Sequence, residues 1–213
     1  MLKTIYNKFD KHKISELPKV EFPGRIITIF SEGEAEKAVE YLLKHKILGI
    51  DTETRPSFKR GRANKVALLQ VSTHDTCFLF RLNMIGLTPA IVRLLEDTSV
   101  PKIGLSLKDD ILMLQNRQKF LPGNFYDLQQ HVKEIGIEDL SLQKLYANVF
   151  GQRMSKAQRL SNWEAQVLTP AQKMYAATDA WSCIMLYNEI ERLKQTSEYE
   201  LVIVEEPQPS EEE

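Results

Sequence analysis

Short apolar runs alternate with amphipathic stretches along the first half of the chain. Strands are predicted where the apolar runs lie, at Arg25–Phe30, Ile47–Ile50, Val66–Ser72, Cys77–Arg81 and Lys102–Gly104. Helical periodicity follows the first strand, and Ser31 with Glu34 three positions later is typical of a capping box at a helix start. Further helices are predicted at Leu87–Glu96 and Leu107–Gln115.

From Asp127 onward the pattern is mainly helical, and it closes with a long helix from Pro170 to about Leu193. Early strands with interspersed helices, followed by a helical second half, indicate an α/β domain covered by helices. The domain is predicted to span residues 26–194. Residues 1–25 are charged, lack periodicity and contain two prolines, so they are predicted to be a lead-in segment. Residues 195–213 are predicted to be an acidic, disordered tail.

Charge is distributed unevenly along the chain. The whole chain carries 28 basic and 29 acidic residues, for a net charge of −1, which by itself argues against a nucleic-acid partner. Seven of the acidic residues follow Lys194, however, and residues 1–194 carry a net charge of +6. A basic body with an acidic end is compatible with a polyanionic partner.

Cysteine usage and hydropathy limit the setting in which the protein works. Cys77 and Cys183 are the only cysteines, and their spacing fits neither a disulfide framework nor a zinc module. The first residues lack the apolar segment of a secretory signal, and no apolar run approaches the ~18 residues that span a bilayer. We expect a cytoplasmic protein without a membrane partner.

Acidic residues stand at three informative places. Asp51 and Glu53 are two positions apart on a strand, so both leave the same face and repel each other unless a cation lies between them. Taken alone, this pattern more often marks a strand end that emerges into solvent. Tyr175 and Asp179 are four positions apart on a helix and share a face, which also suits a core tyrosine bonded to a neighbouring acid.

The adjacent pair Asp109 and Asp110 follows a strand and opens a helix. Acids are expected there because of the helix dipole, so this feature alone indicates no chemistry.

Taken in order, these elements resemble the DEDD-type 3′–5′ exonucleases, tyrosine subclass, in the branch of RNase D and the Werner-syndrome exonuclease. The first motif is Gly49-Ile-Asp-Thr-Glu-Thr54, and the second joins Gly104, Asp110 and Leu114. The third is Arg159-Leu-Ser-Asn-Trp-Glu164, followed by Leu-Thr-x-x-Gln and Tyr175-Ala-Ala-Thr-Asp-Ala180. The resemblance runs from about Ile26 to Leu193 and implies a ribonuclease H-like fold, with a mixed central sheet flanked by helices.

The resemblance also implies the chemistry of the site. Two divalent cations, Mg²⁺ or Mn²⁺, would be held by oxygen ligands. Asp51 would bridge both ions, Glu53 and Asp179 would complete the site that holds the attacking water, and Asp110 would serve the second ion through water. Tyr175 would orient that water. The spacing from Gly104 and to Leu114 selects Asp110 over Asp109, while Asp127 resembles a recurrent family position but better suits a helix cap.

Basic residues cluster between Glu53 and Val66. Nucleic-acid contacts are predicted for Arg55, Phe58, Lys59, Arg60, Arg62 and Lys65, because five cations without an acid adjoin the proposed ligands and Phe58 could stack on a base. A solvated basic loop is the alternative. Lys156 is predicted to contact a phosphate near the site, whereas Trp163 and Trp181 are expected in the core.

The sequence therefore predicts a metal-dependent 3′–5′ exonuclease that releases nucleoside monophosphates from the 3′ end of DNA or RNA. The alternative is a nucleic-acid-binding module that retains the exonuclease fold without efficient catalysis. The discriminating feature is the full set of four acids and the tyrosine, which favours the enzyme.

Overall fold

The computed structural model describes residues 2–57 and 64–205. The strands are β1 Lys3–Tyr6, β2 Arg25–Ile29, β3 Leu48–Thr54, β4 Val66–Ser72, β5 Thr76–Phe80, β6 Lys102–Gly104, β7 Phe125–Asp127 and β8 Tyr199–Val202. The α-helices are α1 Glu32–Leu42, α2 Leu82–Ile85, α3 Pro89–Glu96, α4 Leu107–Gln115, α5 Leu128–His131, α6 Leu142–Phe150 and α7 Pro170–Thr196. Two short 3₁₀ helices lie at Lys11–Glu16 and Val132–Ile135.

Six of the strands form one mixed sheet with the order β2-β5-β4-β3-β6-β7. The central strands β3, β4 and β5 pair antiparallel, while β2 pairs parallel with β5 and β6 pairs parallel with both β3 and β7. This mixed sheet flanked by helices confirms the predicted α/β architecture.

Local sequence signals set most element boundaries as expected. The capping box at Ser31 and Glu34 is formed, and β4, β6 and α4 begin and end where the pattern predicts. Strand β3 runs on past its apolar residues to Thr54, so it carries Asp51 and Glu53 as predicted. Its backbone pairs with β4 from Gly49 to Thr54, which places both acids within a central strand.

Two apolar cores lie on opposite faces of the sheet. One packs the sheet against α5, α6 and α7, and the other packs it against α1, α3 and α4. Helix α7 crosses β3 closely at Gly49, where an added Cβ would lie 1.9 Å from the carbonyl oxygen of Ala180. Glycine at this position therefore allows α7 to bring Asp179 down onto β3.

The two ends of the chain meet, which the sequence pattern did not predict. Strand β1 pairs parallel with β8, with Lys3 opposite Tyr199 and Tyr6 opposite Val202. The expectation of a disordered tail is wrong for Tyr199–Val202. Each strand is only four residues long, and its partner lies at the other end of the chain, so local periodicity carries little information about the pair.

None of the helices in the described residues has the length and apolar character that crossing a membrane requires.

Candidate active site

Three carboxylates meet where β3 passes beneath α7. Asp51 and Glu53 project from one face of β3, and Asp179 projects from α7. One oxygen atom from each lies within 4.8 Å of the others. The structure thus brings together three of the four acids that the sequence motifs single out.

Burial makes it unfavourable for these three carboxyl groups to be ionised together when no cation is bound. Glu53 and Asp179 are only 8% and 9% exposed. Burial raises the pKa of Glu53 to about 10, with a further contribution from Asp51, and burial raises the pKa of Asp179 to about 7. The pKa of Asp51 is also raised well above its usual value, first by burial and then by the charges of Asp179 and Asp110. Such a cluster is stabilised by a cation.

Tyr175 lies one helical turn before Asp179, and its hydroxyl group donates a hydrogen bond to that carboxylate. The tyrosine is 9% exposed, and burial followed by the charge of Asp179 raises the pKa of its hydroxyl. Trp163 packs beside it, with 6.0 Å between ring centroids, and is fully buried, as expected for a core residue. Because its pKa is raised, the Tyr175 hydroxyl stays protonated at neutral pH.

The fourth acid approaches from a different helix. Asp110, in the first turn of α4, accepts a hydrogen bond from the hydroxyl of Thr52, the residue between the two strand acids. Burial raises the pKa of Asp110, and the bond from Thr52 opposes that rise. Neighbouring Asp109 is exposed. The choice of Asp110 over Asp109 therefore agrees with the side-chain placement, although Asp110 lies outside the tight group of three.

Asp127 has the capping role that its sequence position favours. Its carboxylate accepts hydrogen bonds from the backbone N–H groups of Ser106, Leu107 and Gln129, at distances of 2.9 to 3.0 Å. Ser106 has a positive φ of 59°, a strained conformation for a residue with a side chain. Asp127 therefore holds the strained turn that opens α4 and leads to Asp110.

Gln70 is a site neighbour that the motifs did not reveal. It lies directly opposite Asp51 in the antiparallel pairing of β3 with β4, so both side chains share one face. It is fully buried, and within the described part of the chain neither amide atom has a hydrogen-bond partner. The only sequence signal was a single amide in an otherwise apolar strand.

The donor set fits hard divalent cations. The clustered groups offer carboxylate oxygen atoms, which Mg²⁺ and Mn²⁺ prefer, and neither histidine nor cysteine joins the group found among the described residues. Burial is the main cause of the raised pKa values of Asp51, Glu53 and Asp179, and neighbouring carboxylates add to the rise at Asp51 and Glu53, so a cation would stabilise the ionised forms.

The structure describes only some of the residues that are predicted to contact nucleic acid. Arg55 directly follows β3, and its guanidinium lies 3.4 Å from the carboxylate of Glu164, so it is already paired. Lys65 is exposed just before β4, and Lys156 is exposed between Ser155 and Ala157, both of which line a cavity beside the site. Phe58, Lys59, Arg60 and Arg62 lie outside the described residues.

Comparison with known proteins identifies the family of the chain and agrees with its fold. The family model for 3′–5′ exonucleases matches residues 26–194, and the chain belongs to this family. The bifunctional 3′-5′ exonuclease/ATP-dependent helicase WRN of Mus musculus is 30% identical over 192 residues, which cover 85% of this chain and 14% of that protein. The chain thus spans about a seventh of this longer relative.

Two solved structures share the fold. The Nibbler EXO domain of Aedes aegypti has a TM-score of 0.74 at 21% identity, covering 83% of this chain and 91% of that one. RNase D of Escherichia coli has a TM-score of 0.68 at 21% identity, covering 84% of this chain and 52% of that one. At this level of identity, both similarities show that the chain shares the fold of these domains.

Proposed function

We propose that this protein hydrolyses nucleic acid from the 3′ end and releases nucleoside monophosphates, with Mg²⁺ or Mn²⁺ as the required cation. The observation that carries the proposal is the cluster of Asp51, Glu53 and Asp179, whose carboxylate oxygen atoms lie within 4.8 Å of one another on a scaffold of the 3′–5′ exonuclease family. When bound, two divalent cations supply an activated water and charge stabilisation at the leaving oxygen.

The side chains of the site divide the remaining work. Asp51, Glu53 and Asp179 hold the cations, and Thr52 orients Asp110 toward the same end of β3. Tyr175 is a hydrogen-bond donor fixed on Asp179, and its raised pKa makes it a positioning group for the attacking water and not a general base.

Basic residues supply the contacts to the substrate backbone. Lys65 and Lys156 are exposed near the site and bind the phosphates of the strand next to the scissile one. Arg55 joins them by exchanging its partner Glu164 for a phosphate. A cytoplasmic location is proposed as well, and the two buried free thiols, Cys77 and Cys183, are consistent with a reducing compartment.

End-labelled oligonucleotides test this proposal. Single-stranded and duplex DNA and RNA, labelled at either end, are incubated with the protein in Mg²⁺ or Mn²⁺. A 5′ label should give a ladder of shortening products, and a 3′ label should be released as a mononucleotide at once. Release of a 5′-terminal mononucleotide first would contradict the assigned polarity.

Adjacent aspartates provide a matched control for the site. Asp110→Asn should lower the rate of degradation at least about ten-fold because it removes a carboxylate that faces the cations. Asp109 is exposed, so Asp109→Asn should degrade the substrate at the wild-type rate. Tight binding without degradation in either metal would instead favour a non-catalytic binding module.

A further inference from the structure

The two outer strands of the six-stranded sheet, β2 and β7, differ in length and in charge. Strand β7 has only three residues and ends in Asp127, whereas β2 has five, and its last four residues carry no charge. Outer strands expose backbone groups that can pair with another chain, and proteins protect them with charges, prolines or short lengths. Ile27, at the centre of β2, is 38% exposed. Strand β2 is therefore an outer strand that is open to pairing.

The hydrogen bonds to β5 show which backbone groups of β2 are available. The N–H of Arg25 donates to the carbonyl of Asp75 at 2.9 Å, and the carbonyl of Ile29 accepts the N–H of Arg81 at 3.2 Å. Arg25 and Ile29 thus direct their backbone groups toward β5, which pairs parallel with β2. Because this direction alternates along a strand, the N–H and C=O groups of residues 26 and 28 point away from the sheet.

An apolar groove runs between β2 and α1 on the same side of the molecule. It has a volume of about 390 Å³. Its apolar lining comes from both elements and from β5, and consists of Ile27, Ile29, Ala38, Tyr41 and Phe78. A strand added beside β2 would extend the sheet past this groove and would cover the exposed side chain of Ile27.

Charged residues of opposite sign lie near the two ends of β2. Arg25 begins the strand and is exposed. The first turn of α1 carries Glu32 and Glu34 at the other end, where the Glu34 carboxylate accepts the N–H of Phe30 at 2.8 Å. Lys37 lies one helical turn after Glu34 and also lines the groove. The strand therefore has a positive start and an acidic end.

We propose that β2 binds a second copy of this chain, with the two β2 strands antiparallel and the two-fold axis at Ile27. In this register Ile26 of one copy lies opposite Thr28 of the other, so the outward backbone groups of both strands are paired. Each Arg25 then lies opposite Ile29 of the other copy, next to its Glu34. A two-fold interface must be complementary to itself, and the backbone pattern and the charges of β2 both meet that condition.

The pairing joins the two six-stranded sheets into one continuous sheet. Strands β5 and β4 separate β2 from β3, which carries Asp51 and Glu53, so the interface lies away from both acidic clusters. The pairing depends on the outer strand alone, and it holds whether or not the protein degrades nucleic acid.

Sedimentation equilibrium of the full chain over a range of concentrations tests the pairing. The mass of the wild type should rise with concentration toward twice the 24.6 kDa of one chain. Ile27→Lys and Ile27→Glu each place like charges opposite each other on the axis, so each should weaken association at least about ten-fold. Leu121 is 80% exposed elsewhere on the surface, and Leu121→Lys should associate like the wild type. An equimolar mixture of Ile27→Lys and Ile27→Glu should associate again, because opposite charges then face each other.

Cysteine cross-linking tests the register. In the proposed pairing the two Ile27 residues form a pair without backbone hydrogen bonds, in which the Cα atoms lie about 4.5 Å apart, within reach of a disulfide. Ile27→Cys should give a disulfide-linked dimer on mild oxidation, whereas Leu121→Cys should give far less. The native thiols of Cys77 and Cys183 are buried and leave a low background.

Each outcome decides for or against the pairing. A wild type that stays at 24.6 kDa up to its highest soluble concentration would overturn the proposal. Association of Ile27→Lys at the wild-type strength would overturn it as well, and so would a mixture of the two charged variants that stays monomeric although thermal unfolding shows both to be folded. Loss of association in each charged variant and its recovery in the mixture would support it.

Discussion

Thr52 donates a hydrogen bond to the carboxylate of Asp110 and thereby links the first acidic motif to the second. Thr52 lies between Asp51 and Glu53 on β3, whereas Asp110 lies in the first turn of α4. The hydroxyl thus fixes the fourth acid at the end of the strand that carries the first two.

Replacing Thr52 with valine should loosen Asp110 without removing a carboxylate. The pKa of Asp110 should rise further, because the bond from Thr52 lowers it. We expect a roughly ten-fold loss of kcat and a higher Mg²⁺ concentration for half-maximal activity, as is typical when a group that orients a metal ligand is removed. Steady-state kinetics across a Mg²⁺ titration measure both, with Thr28→Val on β2 as the control. If Thr52→Val reached half-maximal activity at the same Mg²⁺ concentration as the wild type, the hydrogen bond would have no part in cation binding.

Activity and stability should change in opposite directions when Asp51 is replaced by asparagine. The substitution removes a carboxylate whose pKa is raised by burial and by neighbouring acids, so the metal-free protein should gain on the order of 1 kcal/mol, or about 2–4 °C in Tm. Nuclease activity should be lost. Thermal unfolding in a chelator, followed by an activity assay with the cation restored, makes the comparison. A lower Tm for Asp51→Asn would contradict the electrostatic account of the cluster.

The stability of the metal-free protein should depend on pH through Asp179. The pKa of Asp179 is about 3.8 in the unfolded chain and about 7 in the folded protein, and burial is the main cause of this rise. The folded state therefore holds this proton more tightly, and the stabilisation it gives is complete below pH 3.8 and is lost as the pH rises through about 7.

The pair of wild type and Asp179→Asn isolates this effect. Their difference in unfolding free energy should be smallest near pH 4 and should grow to roughly 4 kcal/mol in favour of Asp179→Asn by pH 8, since one pKa unit corresponds to about 1.4 kcal/mol. Urea unfolding in a chelator at several pH values gives the curve. A difference that stays constant from pH 4 to 8 would rule out a raised pKa at this carboxyl.

The buried amide of Gln70 should destabilise the metal-free folded protein. Because neither amide atom has a partner in the described residues, Gln70→Met should stabilise that state by about 1 kcal/mol, since an unsatisfied buried polar group is replaced by an apolar one of similar length. Urea unfolding in a chelator measures the change, with Leu68→Met on the same strand as the packing control. A loss of stability larger than that of Leu68→Met would show that the amide is satisfied in solution.

The acidic site could be predicted from sequence because each part has a local pattern. The spacing of Asp51 and Glu53 and the helical spacing of Tyr175 and Asp179 each place two groups on one face. The resemblance to exonucleases then supplied their order. The acidic end of β3 is held by backbone pairing with β4, and the acids alternate with Thr52 along the strand as the spacing predicts.

Contacts between distant segments could not be read from local patterns. The segment that precedes β2 reaches α7 through Phe22 and Thr178, which are 156 positions apart. Strand β1 likewise depends on β8 at the other end of the chain. In both cases the stabilising partner is set by tertiary packing, and neither short segment has a periodicity that would reveal it.

The most direct test of the central claim is the degradation of a 5′-labelled single-stranded oligonucleotide by wild type and Asp51→Asn in Mg²⁺ and in Mn²⁺. The wild type should shorten the strand stepwise from the 3′ end and release nucleoside monophosphates in at least one of the two cations. Asp51→Asn, folded and thermally stable, should produce no ladder in either. Degradation by Asp51→Asn at the wild-type rate would contradict the assignment of this carboxylate cluster as the active site.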